Sequence, residues 1–328
     1  MRDGQPSVED VEDAVGRVRE VAIRTPVVAS PALSRRVGVD VGLKLESLQP
    51  TGSFKVRGAA ARILSLDAAT AARGVVTAST GNHGRAVAYV ARERGIPATV
   101  CVSDNVPAGK LAALRRLGCD LVVGGRSQTE ALVAAGERVA SQGMTLVHPF
   151  DDPAVIAGQG TVGLELVEQW EHAAVVVVPL SGGGLLAGVA LAVKARRPDV
   201  RVVGVSMEDG AVMATSLAAG SPVELDELPT LADSLQGGIG ADNRHTFAIV
   251  RELVDDVVLV GEEAIWAAMR SVYDEHRVVL EGAAAVGVAA LTTGLVVADG
   301  PVVVVCSGGN AEPEQVAAMA RGDAAPPT

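Results

Sequence analysis

The sequence has few aromatic residues, which account for only 2% of the chain. Hydrophobic residues nevertheless make up 48% of its 328 positions, so a core must be built mainly from Val, Ala and Leu. Such cores are typical of parallel sheets that helices cover on both faces. We therefore expect an α/β protein. Because a chain of this length exceeds what one compact core usually organises, we also expect two lobes around a cleft.

Cysteine is scarce as well, and the histidines are scattered. Cys101, Cys119 and Cys306 are far apart in strand-like runs, which predicts buried free thiols rather than a disulfide framework. The five histidines show neither HxxxH nor Cys/His ligand spacing. No transition-metal site is therefore predicted.

Positive charge is in deficit, with 28 Lys and Arg against 39 Asp and Glu and a net charge of -11. This balance opposes binding to a phosphate backbone, so nucleic acid is not an expected partner. Residues 1–6 contain no apolar segment of the kind that targets secretion, and Gly, Pro or charged residues interrupt the later apolar runs. We therefore expect a cytoplasmic protein without a membrane segment.

The order of hydrophobic segments predicts a parallel sheet with crossover helices. Ser7 and Asp10 form a capping-box pattern before valines at helical spacing, which predicts an opening helix. Strand-like and helix-like segments then alternate over residues 74–148, and a second alternation ends at 302–306. Residues 208–243 are rich in Gly, Ser, Pro and Asp, which predicts irregular structure packed over the cleft.

Four segments lie where a strand-like run meets a turn or a helix, the usual position of ligands in α/β proteins. They are residues 46–59, 79–84, 181–185 and 306–310. The glycines at 182–184 precede a helix start, whose N–H groups could hold a phosphate. Neither GxGxxG nor a P-loop lysine is present, which disfavours a dinucleotide or a nucleoside triphosphate.

The segment containing Lys55 suggests a reactive amine. Lys55 follows Phe54 and a Pro/Gly turn, where partial desolvation would lower the pKa of the amine and make it a nucleophile or base. Each of the four segments also has a plainer interpretation. Residues 46–59 would hold a solvated surface lysine, and residues 79–84 an ordinary N-cap at Ser79 or Asn82. Residues 181–185 would form a tight structural turn, and residues 306–310 a helix-capping turn before Glu312.

Together with residues 157–161 and 281–283, these segments resemble the fold-type II pyridoxal-phosphate enzymes, specifically the threonine dehydratase and serine racemase branch. The resemblance covers nearly the whole chain. It implies a two-domain α/β fold like that of the tryptophan synthase β subunit, with pyridoxal 5'-phosphate in the interdomain cleft. Residues 1–73 and 149–328 would form the large cofactor-binding domain, and 74–148 a smaller inserted domain. A homodimer is the usual state in the family.

The resemblance also implies roles for individual residues. Lys55 would carry the cofactor and act as catalytic base, Phe54 would pack near the ring, and Asn82 would bind the ring 3-oxygen. Ser307 would face the pyridine nitrogen, and because a neutral hydroxyl does not fully protonate the ring, elimination would be favoured. The phosphate would be held by Ser181, Gly182, Gly183, Gly184 and Leu185. The substrate carboxylate would be held, mainly by backbone donors, at Ser79, Thr80, Gly81 and His83.

The implied reaction is the removal of water and then ammonia from a small β-hydroxy amino acid such as threonine or serine, which gives a 2-oxo acid. Thr80 stands where racemases of the group often carry Ser as an acid and threonine dehydratases often carry Ala. A serine-type racemase is therefore an alternative, in which Thr80 is catalytic. Residues 206–234 also resemble dehydratases of hydroxyectoine breakdown.

Three further hypotheses receive less support from the sequence. Cysteine synthases and threonine synthases normally have a different lysine segment. A catalytically silent amino-acid-binding protein would not need Lys55, Asn82 and Ser307 together. The divalent-cation site of racemase-like members would have its first carboxylate near Ser206, and Glu208 is out of register, so no metal is expected.

Overall fold

The computed structural model of the protein describes residues 4–104, 106 and 108–324. Ten strands and fourteen helices lie within these residues, besides two 3₁₀ helices at Glu46–Leu48 and Asp233–Leu235. The strands are β1 Val27–Ala29, β2 Val41–Leu45, β3 Val75–Ala78, β4 Ala98–Val102, β5 Asp120–Val123, β6 Thr145–Leu146, β7 Val175–Pro179, β8 Arg201–Met207, β9 Asp256–Val260 and β10 Val302–Cys306. The helices are α1 Val8–Arg19, α2 Pro31–Val37, α3 Lys55–Ile63, α4 Ala68–Ala72, α5 Asn82–Glu93, α6 Ala108–Arg116, α7 Gln128–Gln142, α8 Pro153–Gln169, α9 Gly184–Arg196, α10 Val212–Ala219, α11 Thr246–Leu253, α12 Glu262–His276, α13 Gly282–Thr292 and α14 Pro313–Arg321.

The strands form two sheets. The larger sheet has the order β1-β2-β10-β7-β8-β9, and the smaller one has the order β5-β4-β3-β6. Only the edge strand β1 pairs antiparallel among the described strands, and all other pairings are parallel. The prediction of an α/β fold with parallel sheets is confirmed.

The strands of the larger sheet form because of their valine content. Every residue of β7 and of β10 is buried, as expected for central strands covered on both faces. β-Branched side chains pack well on a pleated surface, and four consecutive valines occur in both strands. Continuous apolar runs therefore mark the centre of the sheet, where β10 lies between β2 and β7.

Helix α8 packs against α3 on one side and α9 on the other, with glycines at both contacts. A Cβ atom at Gly158 of α8 would overlap the backbone oxygen of Arg57 in α3. A Cβ atom at Gly188 of α9 would overlap the backbone oxygen of Ile156 in α8. Since neither site has room for a methyl group, the helix backbones contact each other directly.

Several local predictions can be compared with the structure. The Ser7 capping box at the start of α1 is confirmed. Residues 208–243 are not irregular throughout, because α10 forms within them and buries Val212 and Met213. All three cysteines are free thiols, and Cys119 is half-buried rather than buried. In the described part of the chain, no helix combines the length and apolar character needed to cross a membrane.

Candidate active site

The four segments singled out in the sequence all follow strands at their carboxyl ends. The loop with Lys55 follows β2, the loop with Ser307 follows β10, and residues 182–184 follow β7, and these three strands are neighbours in the larger sheet. Residues 79–84 follow β3 of the smaller sheet. Carboxyl ends of parallel strands are where α/β proteins bind ligands.

Backbone contacts hold the Lys55 loop against the Ser307 loop. The Phe54 N–H donates to the Ser307 carbonyl oxygen at 3.0 Å, and the Gly309 N–H donates to the Gly52 carbonyl oxygen at 2.9 Å. Gly52 has φ of +75°, a conformation that favours glycine. Lys55, the first residue of α3, therefore has a fixed position relative to the end of β10.

The Lys55 amine is half-buried and has a perturbed acidity. Its Nζ donates to the Pro149 carbonyl oxygen at 2.8 Å and lies 5.2 Å from the centre of the Phe54 ring. Burial lowers the pKa of Lys55 to about 8, although the Glu281 carboxylate acts in the opposite direction. Near neutral pH a useful fraction of the amine is uncharged, as a nucleophile or base requires.

The glycine turn leaves the start of α9 open to an anion. Gly183 is the N-cap residue with φ of +86°, and no side chain caps the first turn. A Cβ atom at Gly182 would overlap the Phe150 ring, so the turn closes tightly only with glycine there. Backbone N–H groups and the helix dipole at such a start bind phosphate.

The start of α5 has the same character. Its N-cap residue is Gly81 and no side chain caps it, so the interpretation of Ser79 or Asn82 as the N-cap does not hold. A Cβ atom at Gly84 would overlap the Ser79 carbonyl oxygen, which explains the glycine in this tight turn. Backbone N–H groups of an uncapped first turn can receive an anion such as a carboxylate.

The His83 ring is neutral and is used mainly for structure. Its Nε2 lies 2.9 Å from the Val147 carbonyl oxygen, which can only accept, so Nε2 carries the hydrogen. Nδ1 is buried without a partner among the described residues. Burial, with a smaller effect of Lys55, lowers the pKa of His83 to about 3. The ring therefore has no N–H left for a carboxylate, and only the backbone N–H of His83 can serve that purpose.

Asn82 is buried in a polar cluster that connects the two sheets. Its Nδ2 donates to Glu281 Oε1 at 2.7 Å, and its Oδ1 accepts from Asn310 Nδ2 at 2.6 Å. Burial raises the pKa of Glu281 to about 7, Asp233 adds to this effect, and the hydrogen bond from Asn82 opposes it. Both heteroatoms of the Asn82 amide are thus engaged, and one N–H of Nδ2 remains for a ligand.

A buried ionic cluster holds α3 in place through Arg57. The Arg57 guanidinium donates to both carboxylate oxygens of Glu46 at 2.8 Å and also pairs with Glu165. Lys44 pairs with Glu165 as well, so two positive and two negative charges balance. Burial alone would raise the pKa of Glu46, but Arg57 holds it below its ordinary value.

The structure also brings residues into the site that the sequence analysis did not assign. Glu281 and Asn310 lie in segments quoted for the family resemblance, but nothing in the sequence indicated that they meet Asn82. Residues 147–150 carry no motif, although they supply backbone oxygens to His83 and Lys55 and the ring beside Gly182. Such contacts depend on the arrangement of the two sheets.

The remaining predicted site residues lie at the same strand ends. Ser79, Thr80, Gly81 and Ser181 are half-buried. Leu185 and Ser307 are buried, and Leu185 packs in the core below α9. Near the expected position of a cation ligand, Ser206 Oγ contacts the Met207 sulfur and Glu208 is exposed. The described residues contain no cluster of His, Cys, Asp or Glu that could hold a metal ion.

These residues fit pyridoxal phosphate chemically. A glycine turn that any Cβ atom would obstruct can receive the phosphate, and Lys55 offers a partly neutral amine. The Asn82 amide can donate to a ring oxygen, and the Ser307 hydroxyl lies in the loop that is bonded to the Lys55 segment.

Known proteins with similar sequences and structures agree with this arrangement. A Sinorhizobium fredii protein, provisionally named a threonine dehydratase, is 52% identical over 93% of this chain and 92% of its own length. The L-threonine ammonia-lyase of Thermotoga maritima is 42% identical over 93% of this chain and 75% of its own. The structure of maize serine racemase matches with a TM-score of 0.89 at 34% identity and covers 97% of both chains. The family model described as pyridoxal-phosphate dependent enzyme matches residues 18–308. The chain belongs to this family, and its cofactor is pyridoxal 5'-phosphate.

Proposed function

We propose that the protein is a lyase that removes water and ammonia from a small β-hydroxy amino acid, with L-threonine and L-serine as the first candidates. The observation that carries the proposal is the half-buried Lys55 amine, whose pKa is lowered to about 8 at the meeting point of the four loops. The elimination itself is supported by the relatives named for threonine dehydratase and L-threonine ammonia-lyase.

In this proposal Lys55 both holds the cofactor and moves the proton. Bound pyridoxal phosphate supplies an electron sink that stabilises negative charge on the substrate Cα. The free Lys55 amine accepts the Cα proton, and the Cβ–O bond breaks as the leaving hydroxyl takes up a proton, so that the proton lost from Cα is balanced by the one that departs in water. The released enamine then takes up water and yields the 2-oxo acid and ammonia.

The other residues bind and orient. The backbone N–H groups of residues 181–185 would hold the phosphate at the start of α9, Asn82 would donate to the ring oxygen, and Phe54 would pack near the ring. The Ser307 hydroxyl would face the ring nitrogen. Because a neutral hydroxyl would not fully protonate the ring nitrogen as a carboxylic acid would, the electron sink would be weaker, which favours elimination over amino-group transfer.

The start of α5 binds the substrate carboxylate. Backbone N–H groups of the segment formed by Ser79, Thr80, Gly81 and His83 would donate to the anion, and the uncapped first turn supports this role. Because the His83 ring stays neutral and donates to Val147, it offers the carboxylate neither a charge nor an N–H, and the backbone N–H groups take that role.

The wider organisation belongs to the same proposal. Residues 74–148 form a smaller domain inserted between the two parts of a larger one, 1–73 and 149–328, with the cofactor in the cleft between them. The protein acts in the cytoplasm as a homodimer on a small amino acid. All four strands of the smaller sheet, β3 to β6, lie between Val75 and Leu146, which supports the proposed domain limits.

Racemisation is the second candidate function, because the chain also matches serine racemases in sequence and structure. Thr80 would then act as the acid on the face of the ring opposite Lys55. A specialised substrate, such as an intermediate of hydroxyectoine breakdown, is a narrower version of the first proposal.

The test is to measure 2-oxo acid release from L-threonine, L-serine and threo-3-hydroxyaspartate, while the D/L ratio of the remaining substrate is followed. Prompt release from threonine or serine supports the dehydratase. A changed D/L ratio without release favours the racemase, and silence on the whole panel contradicts both for these three substrates and leaves the specialised substrate. Lys55→Ala should abolish turnover without loss of the fold, and Lys194→Ala, at an amine paired with Asp255 far along α9, is the matched control.

A further inference from the structure

Four polar side chains form a continuous row of hydrogen bonds at the site. Arg85 Nη1 donates to Asn310 Oδ1 at 2.9 Å, and Asn310 Nδ2 donates to Asn82 Oδ1 at 2.6 Å. Asn82 Nδ2 then donates to Glu281 Oε1 at 2.7 Å. Arg85 and Asn82 lie on α5, which follows β3 of the smaller sheet. Asn310 lies in the loop after β10, and Glu281 directly precedes α13.

The direction of every bond in the row is fixed by chemistry. A guanidinium only donates, so the Asn310 atom that faces Arg85 must be the oxygen. The backbone oxygen of Thr51 only accepts, and it lies 3.0 Å from the other heteroatom of Asn310, which must therefore be the nitrogen. That nitrogen donates to Asn82, whose facing atom must be oxygen. The Asn82 nitrogen is left to face Glu281, a carboxylate that accepts when it is ionised.

We propose that Arg85, Asn310 and Glu281 are positioning residues that act through Asn82: their one-directional row of hydrogen bonds holds the Asn82 amide with its nitrogen toward the cofactor oxygen. This inference rests on the proposed role of Asn82 in binding pyridoxal phosphate. It adds that the amide orientation is set by residues that do not touch the cofactor.

The burial of the row makes a wrong orientation costly. Asn82 is 9% exposed and Glu281 is 5% exposed, so water does not replace a lost partner. A flipped Asn82 amide would place its nitrogen against the Asn310 nitrogen and, where Glu281 is ionised, its oxygen against the Glu281 oxygen. Two mismatched buried contacts disfavour the flipped form by about tenfold or more.

Asn310→Asp tests the direction of the row with almost no change in shape. A carboxylate cannot donate to Asn82 Oδ1 or to the Thr51 oxygen, so the Asn82 amide loses the contact that orients it. We expect the dissociation constant of pyridoxal phosphate, measured by visible absorbance during titration of the apoprotein, to rise about tenfold or more. The pH midpoint of the absorbance of the lysine-bound cofactor should also shift, since the ring oxygen loses a donor.

Arg85 provides the second variant and a rescue. Arg85→Met should change both quantities in the same direction as Asn310→Asp, but less, because Thr51 still fixes Asn310. Arg85→Lys keeps a group that only donates and should restore the original values. The matched control is Arg92→Met, at an exposed position of the same helix, which should behave like the unmodified protein.

The outcomes separate this inference from the proposed function. If the unmodified protein binds pyridoxal phosphate and both Asn310→Asp and Arg85→Met keep the original dissociation constant and absorbance midpoint, the positioning row is overturned alone. If the unmodified protein fails to bind pyridoxal phosphate, the proposed function and this inference fall together. If Asn310→Asp does not fold, Arg85→Met and its lysine rescue decide the question, because the Arg85 side chain is only half-buried.

Discussion

The Arg57 guanidinium and the Glu46 carboxylate form a two-point contact inside the protein, with both bonds at 2.8 Å. The Arg57 side chain is 1% exposed and that of Glu46 is fully buried. Arg57 lies two residues after Lys55 on α3, and Glu46 lies directly after β2. The pair therefore connects the helix of the reactive lysine to the end of a central strand.

Removal of Arg57 should destabilise the protein strongly. Arg57→Met would leave Lys44 as the one cation facing Glu46 and Glu165, so one buried negative charge would be uncompensated, at a cost of about 3–5 kcal/mol. Chemical denaturation of the apoprotein measures this change. The control is Arg24→Met, which removes an ion pair with side chains 41% and 60% exposed and should cost less than about 1 kcal/mol. Similar losses in both variants would contradict the special importance of the buried pair.

The glycine turn before α9 should tolerate no side chain. In Gly182→Ala, the methyl group would overlap the Phe150 ring, and the overpacking costs about 1–3 kcal/mol. If the turn moves to relieve this strain, the affinity for pyridoxal phosphate falls about tenfold or more, which fluorescence titration measures. Gly16→Ala on α1, where nothing lies within 4 Å of the added atom, should leave the affinity unchanged. Unchanged affinity in Gly182→Ala would contradict a movement of this turn and place the strain on the Phe150 ring instead.

The attachment of the cofactor should depend on pH through Lys55. Only the neutral amine reacts, and the lowered pKa of about 8 means that the neutral fraction rises through that pH rather than near 10.5. We expect the rate of growth of the visible absorbance, after pyridoxal phosphate is added to apoprotein, to reach half its maximum near pH 8. A midpoint close to the ordinary lysine value would show that burial does not perturb this amine. His83 does not complicate the profile, because its lowered pKa of about 3 keeps it neutral.

Glu281 should make the apoprotein less stable as pH rises. The pKa of Glu281 is raised from 4.5 to about 7 in the folded chain, so the folded state binds more protons than the unfolded state between these values. Ionisation of Glu281 therefore costs stability progressively over this range, by up to about 3 kcal/mol. In Glu281→Gln this cost is absent. The variant should gain stability relative to the unmodified apoprotein between about pH 5 and about pH 8, as urea denaturation can measure.

If the free energies of unfolding of Glu281→Gln and the unmodified apoprotein differ by the same amount at about pH 5 and at about pH 8, the raised pKa of Glu281 is contradicted.

The positions of the strands and of the four loops could be predicted from the sequence. Valine runs such as those of β7 and β10 have few conformations open to them besides a buried strand, and a glycine-rich turn after such a run marks a strand end. The family resemblance then related Lys55, Asn82 and Ser307 to one cofactor. These predictions relied on short segments, in which neighbours along the chain determine the local conformation.

The long-range contacts of charged and amide groups could not be predicted in the same way. Arg57 and Glu46 are charged residues that usually remain in water, and only their mutual contact allows burial. Asn82 and Glu281 are 199 residues apart, and they meet because two sheets face each other. Helix α10 was missed because glycine and proline around it outweighed its own apolar, alanine-rich stretch.

The glycine contacts of α8 have a consequence for the dimensions of the site. α3 begins with Lys55 and α9 begins at the glycine turn, and α8 contacts the main chain of both through Gly158 and Gly188. The distance between the start of α3 and the glycine turn is therefore set by peptide groups, which do not change rotamer as side chains do. The chain has few aromatic rings to pack between its helices. Direct contacts between helix backbones therefore give the site its rigidity and fix the distance that the cofactor would span.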